Sequence, residues 1–332
     1  MNNGMKSAGI VKLVVWSVVA VVLMALLAGA IVGDSFEIIS FDGVISVSGY
    51  VYDDAESYGV GNAEYSENVQ IIDISWLSGN INVVTWDGST VKVEEIGEVD
   101  NDGEKMRSRV QNGRLSVKFA ESGLRLTTKS DLQKTLTVYI PTSMVSNVKK
   151  LRISAASANA TVDGGENQFV FEEVDVDSAS SVINVKCLSA SRVDVDTASG
   201  DVYLSGSFGN VEIDAASADV ELKGSVDKLN VDSLSGHVKV DGELSHGEIG
   251  TMSGEVEIKT YTQAPTALEI ETVSGSLELI IPKTESGFVA RFDSLSGEMV
   301  CNGVNGDYYQ SGSGVAMYEF ESLSSRITIT EE

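Results

Sequence analysis

A short alternation of apolar and polar residues recurs along the chain, always around a Ser-Gly step. In the copy 193–204, VDVDTASGDVYL, Val193 and Val195 precede the step, and Val202 and Leu204 follow it. Polar residues stand between them. An alternation with a period of two predicts a β-strand with one buried face. Each copy therefore predicts two short β-strands that meet at the Ser-Gly step.

The pattern occurs ten times, and the serine is present in every copy. The position after the serine is always small, and it falls at residues 79, 158, 181, 200, 218, 236, 254, 275, 297 and 325. Because Ala158 and Ala218 occupy it in two copies, we expect a crowded corner there rather than a positive φ.

No single copy can bury its own apolar face, so we expect the copies to stack into a common core. The usual period of 18–22 residues is too short for a four-stranded propeller blade. We predict an all-β fold, a parallel β-solenoid of about ten short coils. The alternative is a meander or sandwich in which each copy is an antiparallel hairpin.

An uncharged apolar run of twenty residues, 13–32, precedes the repeats. At 1.5 Å per helical residue it matches the bilayer core of about 30 Å. Lys6 and Lys12 precede the run and acids follow it, so the positive-inside rule predicts a cytoplasmic segment 1–12 and an extracytoplasmic remainder. We predict a single-pass anchor at the cell membrane. A cleaved signal peptide, with Ala28-Gly29-Ala30 as its cleavage pattern, is the alternative.

Charge divides the rest of the chain. The net charge is −26, from 23 basic and 49 acidic residues, which argues against nucleic acid as a partner. We predict an acidic stalk over 33–70, a first repeat with a basic β-strand segment over 71–150, and acidic solenoid repeats over 151–332. The basic segment is a candidate contact for anionic lipids or wall polymers, with a solvated face as the alternative. Its candidate residues are Arg107, Arg109, Lys149 and Lys150.

Acids recur four and six residues before the small position of the repeat. Stacked coils would bring these like charges within about 5 Å of each other, and Ca²⁺ is a suitable bridge between carboxylates outside the cell. The alternative is a solvated face that resists aggregation. The candidate Ca²⁺ ligands are Asp177, Asp196, Asp214 and Asp232. We predict no other cofactor.

Catalysis has little support in the composition, since the chain has two histidines and two cysteines. His237 lies near Ser235 and Asp232, but that serine belongs to a column shared by all ten copies, so we do not predict a catalytic triad. We expect Cys301 to be a small buried residue, and we expect no disulfide between it and Cys187, which lies 114 residues earlier. We predict a protein that is not an enzyme, with a polysaccharide-active β-helix as a minor alternative.

The recurring D-x-x-S-G-x-V-x-V step, the opening 71–81, IIDISWLSGNI, and the strand 136–141, LTVYIP, resemble a known group. They are similar to the bacterial Ser-Gly/Val repeat domains named "putative adhesin", over roughly 71–330. The resemblance implies a right-handed, membrane-anchored β-solenoid and provides no catalytic residue. It favours a non-catalytic binding, adhesion or scaffold protein whose partner is a glycan, a wall polymer or a surface protein. An envelope-stress accessory or sensor that contacts the cell's own wall or membrane is the alternative.

Overall fold

A computed structural model describes residues 36–41, 44–123, 132–166 and 168–332. The predicted anchor, 13–32, lies outside these residues. Over the described ranges, no helix has the length and apolar character needed to cross a bilayer. The chain divides into two compact units, a first unit that ends at Ala190 and a second unit that runs from Ser191 to Glu332.

The described chain is β-structure apart from two short 3₁₀ helices, Ala55–Ser57 and Thr142–Asn147. The strands of the first unit are β1 (Phe36–Phe41), β2 (Val44–Tyr50), β3 (Gly59–Val60), β4 (Ala63–Tyr65), β5 (Ile71–Trp86), β6 (Val91–Ile96), β7 (Arg107–Gln111), β8 (Arg114–Lys118), β9 (Lys134–Pro141), β10 (Lys150–Asp163) and β11 (Val170–Ser180). Strand β12 (Ile183–Ser199) contributes to both units. The second unit continues with β13 (Val202–Ser217), β14 (Val220–Lys259), β15 (Ala267–Ile281), β16 (Phe288–Ser294), β17 (Glu298–Cys301), β18 (Val304–Asn305), β19 (Tyr308–Gln310) and β20 (Ala316–Glu331). The all-β prediction is confirmed.

Strands from successive copies pair in parallel, in the register that the repeat predicts. In the first unit Ser78 on β5 lies opposite Ser157 on β10. In the second unit Ser217 lies opposite Ser235, and Ser253 opposite Ser274. The inward residues of neighbouring coils form columns in the core. One such column is almost fully buried and consists of Ile213, Val231, Ile249 and Ile270.

The small position of the repeat is crowded, as expected. A Cβ placed on Gly254 would lie 2.2 Å from the carbonyl oxygen of Gly236 in the neighbouring coil. The expectation that φ is not positive there is wrong in several copies. Gly236 has a φ of +133° and Gly79 a φ of +100°. The alanines in two copies do not reveal the positive φ of the glycines, because φ at this position differs from coil to coil.

At the start of the repeats, the order of the coils in space differs from their order in the sequence. β5 pairs with β10 on one side and with β8 and β9 on the other. β6 and β7 then pair antiparallel with β9 and β8. The segment between the first two copies therefore adds one more coil and an antiparallel layer beyond β5, while the two copies themselves are direct neighbours.

The second unit shows the same inversion near its C-terminal strand. β20 pairs in parallel with β15 on one side and with β16 and β17 on the other. The last copy in the sequence is therefore inserted between the two that precede it. β19 and β18 pair antiparallel with β16 and β17 on the outer side. They cover backbone groups that would otherwise be an open sheet edge.

Part of the segment predicted as an acidic stalk belongs to the folded first unit. β3 pairs with β7, and β4 pairs with β6. The buried Tyr50 hydroxyl donates a hydrogen bond to the carbonyl oxygen of Ser75, at 3.1 Å. The acid-rich sequence concealed this docking because it depends on strands of two and three residues whose partners lie about 30 to 50 residues further along the chain.

Candidate functional site

The outer face of the second unit carries carboxylates at successive coils. Asp214 on β13 lies directly opposite Asp232 on β14. Burial raises the pKa of Asp214 to about 6, and the nearby charges of Asp196, Asp232 and Glu212 add to the effect. Burial also raises the pKa of Asp232. The repeat therefore holds acids close together on rigid strands, where their charges oppose one another.

The repulsion between these carboxylates is relieved at two places. Beyond Asp232 the corresponding position is Gly250, and a Cβ there would lie 2.5 Å from Asp232 Oδ1. Arg192 donates hydrogen bonds to the carboxylates of Asp194 and Glu212, at 2.7 and 3.2 Å. The missing side chain makes room for one carboxylate, and the arginine neutralises two others.

The inverted strand order brings further acids together. Glu321 on β20 lies between Glu271 on β15 and Asp293 on β16. Burial, followed by the charge of Glu321, raises the pKa of Glu271. Sequence order places Asp293 next to Glu271, so only the structure shows that Glu321 separates them.

The candidate Ca²⁺ ligands lie on four consecutive strands of the repeat, β11 to β14. Asp196, Asp214 and Asp232 follow one column of the second unit, and Asp177 is on β11 in the first unit. No group of three or more His, Cys, Asp or Glu residues in the described ranges is arranged to hold a metal ion. Cation binding along the column stays a prediction.

Two of the basic candidates for envelope contact have structural roles. Arg107 is buried, and its guanidinium donates hydrogen bonds to the carbonyl oxygens of Lys105 and Asp102, both at 2.9 Å. The guanidinium of Arg109 lies over the ring of Tyr58, 4.3 Å from its centroid. Because these contacts hold the two side chains against the first unit, they are poor choices for a surface contact.

The other two basic candidates lie at the start of β10. Lys149 is half-buried, and Lys150 forms an ion pair with Glu173. Arg152, which the sequence analysis does not single out, also reaches Glu173, at 3.1 Å. The parallel register of β10 and β11 places these charges side by side, so this basic patch is partly neutralised.

The serine, histidine and acid considered for catalysis do not form a triad. The backbone N–H of His237 donates to Asp219 Oδ1 at 2.8 Å. The imidazole Nε2 of His237 lies 4.0 Å from the Glu257 carboxylate. Cys187 and Cys301 are free and buried, and burial raises the pKa of each thiol to about 12. Neither thiol is poised to act as a nucleophile at neutral pH.

A buried lysine in the first unit escapes the sequence analysis. Lys134 Nζ forms an ion pair with Glu95 and donates to the carbonyl oxygens of Phe119 and of Glu104, the latter at 2.6 Å. It lies 5.0 Å from the ring centroid of Trp76. Burial lowers the pKa of Lys134, and Glu95 opposes this effect. The available signal was the alternation of β9, which places Lys134 in line with the inward residues Leu136 and Val138.

We expect the second unit to become more stable as the pH falls from 7 through 6. The folded pKa of Asp214 is above its unfolded value, so the folded state binds the proton more tightly. Asp214→Asn mimics the protonated form and should stabilise the unit by about 1–2 kcal/mol at pH 7.5. Thermal unfolding at pH 7.5 and 4.5 measures this.

The matched control is Asp227→Asn, since Asp227 is exposed in the same unit and lies outside the columns. It should change the melting temperature little at either pH. If Asp214→Asn has the same melting temperature as the unaltered chain at pH 7.5, then repulsion in the column does not reduce stability.

A family model described as Toastrack DUF4097 matches residues 69–303. The chain belongs to the Toastrack DUF4097 family. The Toastrack match starts just before β5 and ends just after β17, so it contains nine of the ten repeat copies and the extra coil of β8 and β9, and the last copy, on β20, follows it. No curated protein matches the chain.

Several solved structures match this chain. A putative adhesin from Bacteroides fragilis is 11% identical, over 82% of this chain and 97% of that one, with a TM-score of 0.41. A putative lipid binding protein from Parabacteroides distasonis is 11% identical, over 83% and 97%, with a TM-score of 0.39. A putative cell adhesion protein from Clostridium sporogenes is 12% identical, over 83% and 100%, with a TM-score of 0.22.

Proposed function

We propose that this Toastrack protein is a non-catalytic binding or scaffold protein at the bacterial cell surface. In this proposal 13–32 is a membrane anchor, and the repeats form a right-handed β-solenoid of about ten coils outside the membrane. The observation that carries the proposal is the array of carboxylates at successive coils, with Asp214 opposite Asp232. Charges repeated at about 4.8 Å on rigid strands suit a partner with a repeated structure of its own.

The distance from the anchor favours a partner in the cell's own envelope as the second candidate. With 13–32 in the membrane, the residues 33–49 separate it from Tyr50, which is buried in the first unit. Seventeen residues reach at most about 60 Å when fully extended. The first unit would thus lie close to the membrane, within reach of lipid heads and inner wall polymers.

Pull-down of the full chain in detergent micelles separates the two candidates. One panel holds host glycans and matrix proteins, and the other holds the organism's wall polymers and vesicles of its lipids, each with and without millimolar Ca²⁺. We expect selective binding to at least one panel. Binding to host ligands supports adhesion, and binding to the envelope panel alone supports the accessory function.

Two variants identify the surface responsible. Combined Asp196→Asn, Asp214→Asn and Asp232→Asn should abolish binding that uses the acidic columns and any enhancement by Ca²⁺. Combined Lys149→Gln and Lys150→Gln should weaken binding to anionic vesicles instead. Absence of binding to every member of both panels would reject the proposed function.

A further inference from the structure

A cavity of about 220 Å³ opens on the outer face of the second unit, across β14, β15 and β20. His246, Ala267 and Met317 form one wall, and the paired strands place them at successive coils. Ala267 is the smallest of the three, which opens the space between its neighbours. Met317 is 39% exposed. The cavity is smaller than the range of about 300–1,000 Å³ typical of sites for drug-sized ligands, so it suits one small group.

A row of acids borders the cavity beside this wall. Glu248, Glu269 and Glu319 lie at the same three coils, two residues further along each strand. Glu319 Oε1 lies 3.6 Å from Arg291 Nη1. By contrast, no described basic side chain forms an ion pair with Glu248 or Glu269. Burial raises the pKa of Glu269, and the charges of Glu248 and Glu319 add to the effect. A cation bound between Glu248 and Glu269 would relieve the repulsion between their charges.

His246 adds a further hydrogen-bond acceptor. Its Nε2 lies 3.0 Å from Thr266 Oγ1, and that hydroxyl donates its only hydrogen to the carbonyl oxygen of Ser245, at 2.9 Å. In the tautomer with hydrogen on Nε2, the ring donates to this hydroxyl, and Nδ1 is left as an acceptor. Lys228 lines the end of the cavity beyond His246, so that end is cationic.

We propose that this cavity binds a primary ammonium group on an alkyl stem. The ammonium lies between Glu248 and Glu269, away from Lys228, and the stem packs against Ala267 and Met317. An ammonium has three donors and no acceptor, which matches two carboxylates and an imidazole nitrogen. Alkyl stems of such groups pack on apolar surface while their charged ends contact acids or water.

Two sources share this chemistry, a lysine side chain of another protein and a free alkylamine. A metal ion fits less well, because Ala267 and Met317 are apolar and the described residues include no group of three or more His, Cys, Asp or Glu side chains arranged to hold a metal. The site deepens the proposed surface function and rests on it, because Glu248, Glu269 and Glu319 belong to the acidic column six residues before the small position.

Isothermal titration of the full chain in detergent micelles, at low salt, tests the proposal. The probes are n-pentylamine and Nα-acetyl-lysine methylamide, with tetramethylammonium and Ca²⁺ as comparison cations. Glu269→Gln should weaken binding of the amines about tenfold, since it removes a charge-assisted hydrogen bond. Ala267→Leu should abolish binding without any change in charge, because the larger side chain fills the cavity. Glu278→Gln is the matched control, since Glu278 is exposed on the same strand but outside the cavity.

Binding by either amine supports the site, binding by only one of them also distinguishes its source, and binding by neither would overturn the proposal. If only the lysine derivative binds, the natural ligand is a lysine side chain of a protein partner. If only n-pentylamine binds, the natural ligand is a free alkylamine. Unchanged affinity in Ala267→Leu, or an equal loss in Glu278→Gln and Glu269→Gln, would overturn the proposal. Equal binding of tetramethylammonium or Ca²⁺ would also overturn it.

Melting curves verify that each variant is folded, and Glu269→Gln keeps the test decisive if Ala267→Leu does not fold. The pull-down result has no bearing on these titrations, so failure here leaves the surface proposal standing.

Discussion

Glu95→Gln should lower the free energy of unfolding of the first unit by about 3–5 kcal/mol. The substitution leaves Lys134, whose side chain is 0% exposed, as a buried cation without its anion. It also weakens the acceptor of the Met106 backbone N–H, which lies 3.0 Å from Glu95 Oε2. Unfolding in urea measures the effect, and Trp76 is a suitable fluorescence reporter because its ring lies against Lys134.

The neighbouring residue provides the control for this prediction. Glu94 pairs with Lys92 at the surface, so Glu94→Gln should change stability little. Adding Lys134→Met to Glu95→Gln should recover part of the loss, since it removes the uncompensated charge and leaves an apolar side chain among Trp76 and Phe119. Equal destabilisation by Glu94→Gln and Glu95→Gln would mean that the loss of stability does not arise from burial of the Lys134–Glu95 pair.

Gly236→Ala should destabilise the second unit by about 2–4 kcal/mol. The φ of Gly236 is +133°, which an alanine rarely adopts, and the added Cβ would lie 2.0 Å from the carbonyl oxygen of Ala218. The contact is with backbone of the adjacent coil, so the strain cannot be relieved by rotation of a side chain. Thermal unfolding followed by far-ultraviolet circular dichroism measures the loss.

Ala218 is the natural comparison, because it occupies the same position one coil away and has no positive φ. Ala218→Gly should cost no more than about 1 kcal/mol. A melting temperature for Gly236→Ala equal to that of the unaltered chain would show that the coils can shift apart at this corner. That result would contradict the close stacking on which the solenoid depends.

The accessible chemistry of this Toastrack chain lies mainly on the outer faces of its strands, and the two proposals use different parts of it. The acidic columns are defined by the repeat and could be read from the sequence. The ammonium cavity depends on Ala267 lying between His246 and Met317, which requires β20 to lie beside β15. Without the inserted strand, Met317 and Glu319 would be absent from its walls.

The sequence alone determined the β-strands, their inward and outward faces and the register of most copies. Alternation of side chains is a local property of a strand, so Val193, Val195 and Ser199 could be assigned without any knowledge of their neighbours. The spacing to the serine, which recurs from copy to copy within the chain, then set the alignment of one coil on the next. Only the tertiary structure decided which strands are neighbours at the two inversions, and so where Lys134 is buried and where the cavity forms. The physical reason is that a parallel pair requires matching register and apolar faces, and these requirements are met equally by strands that are close or distant along the chain.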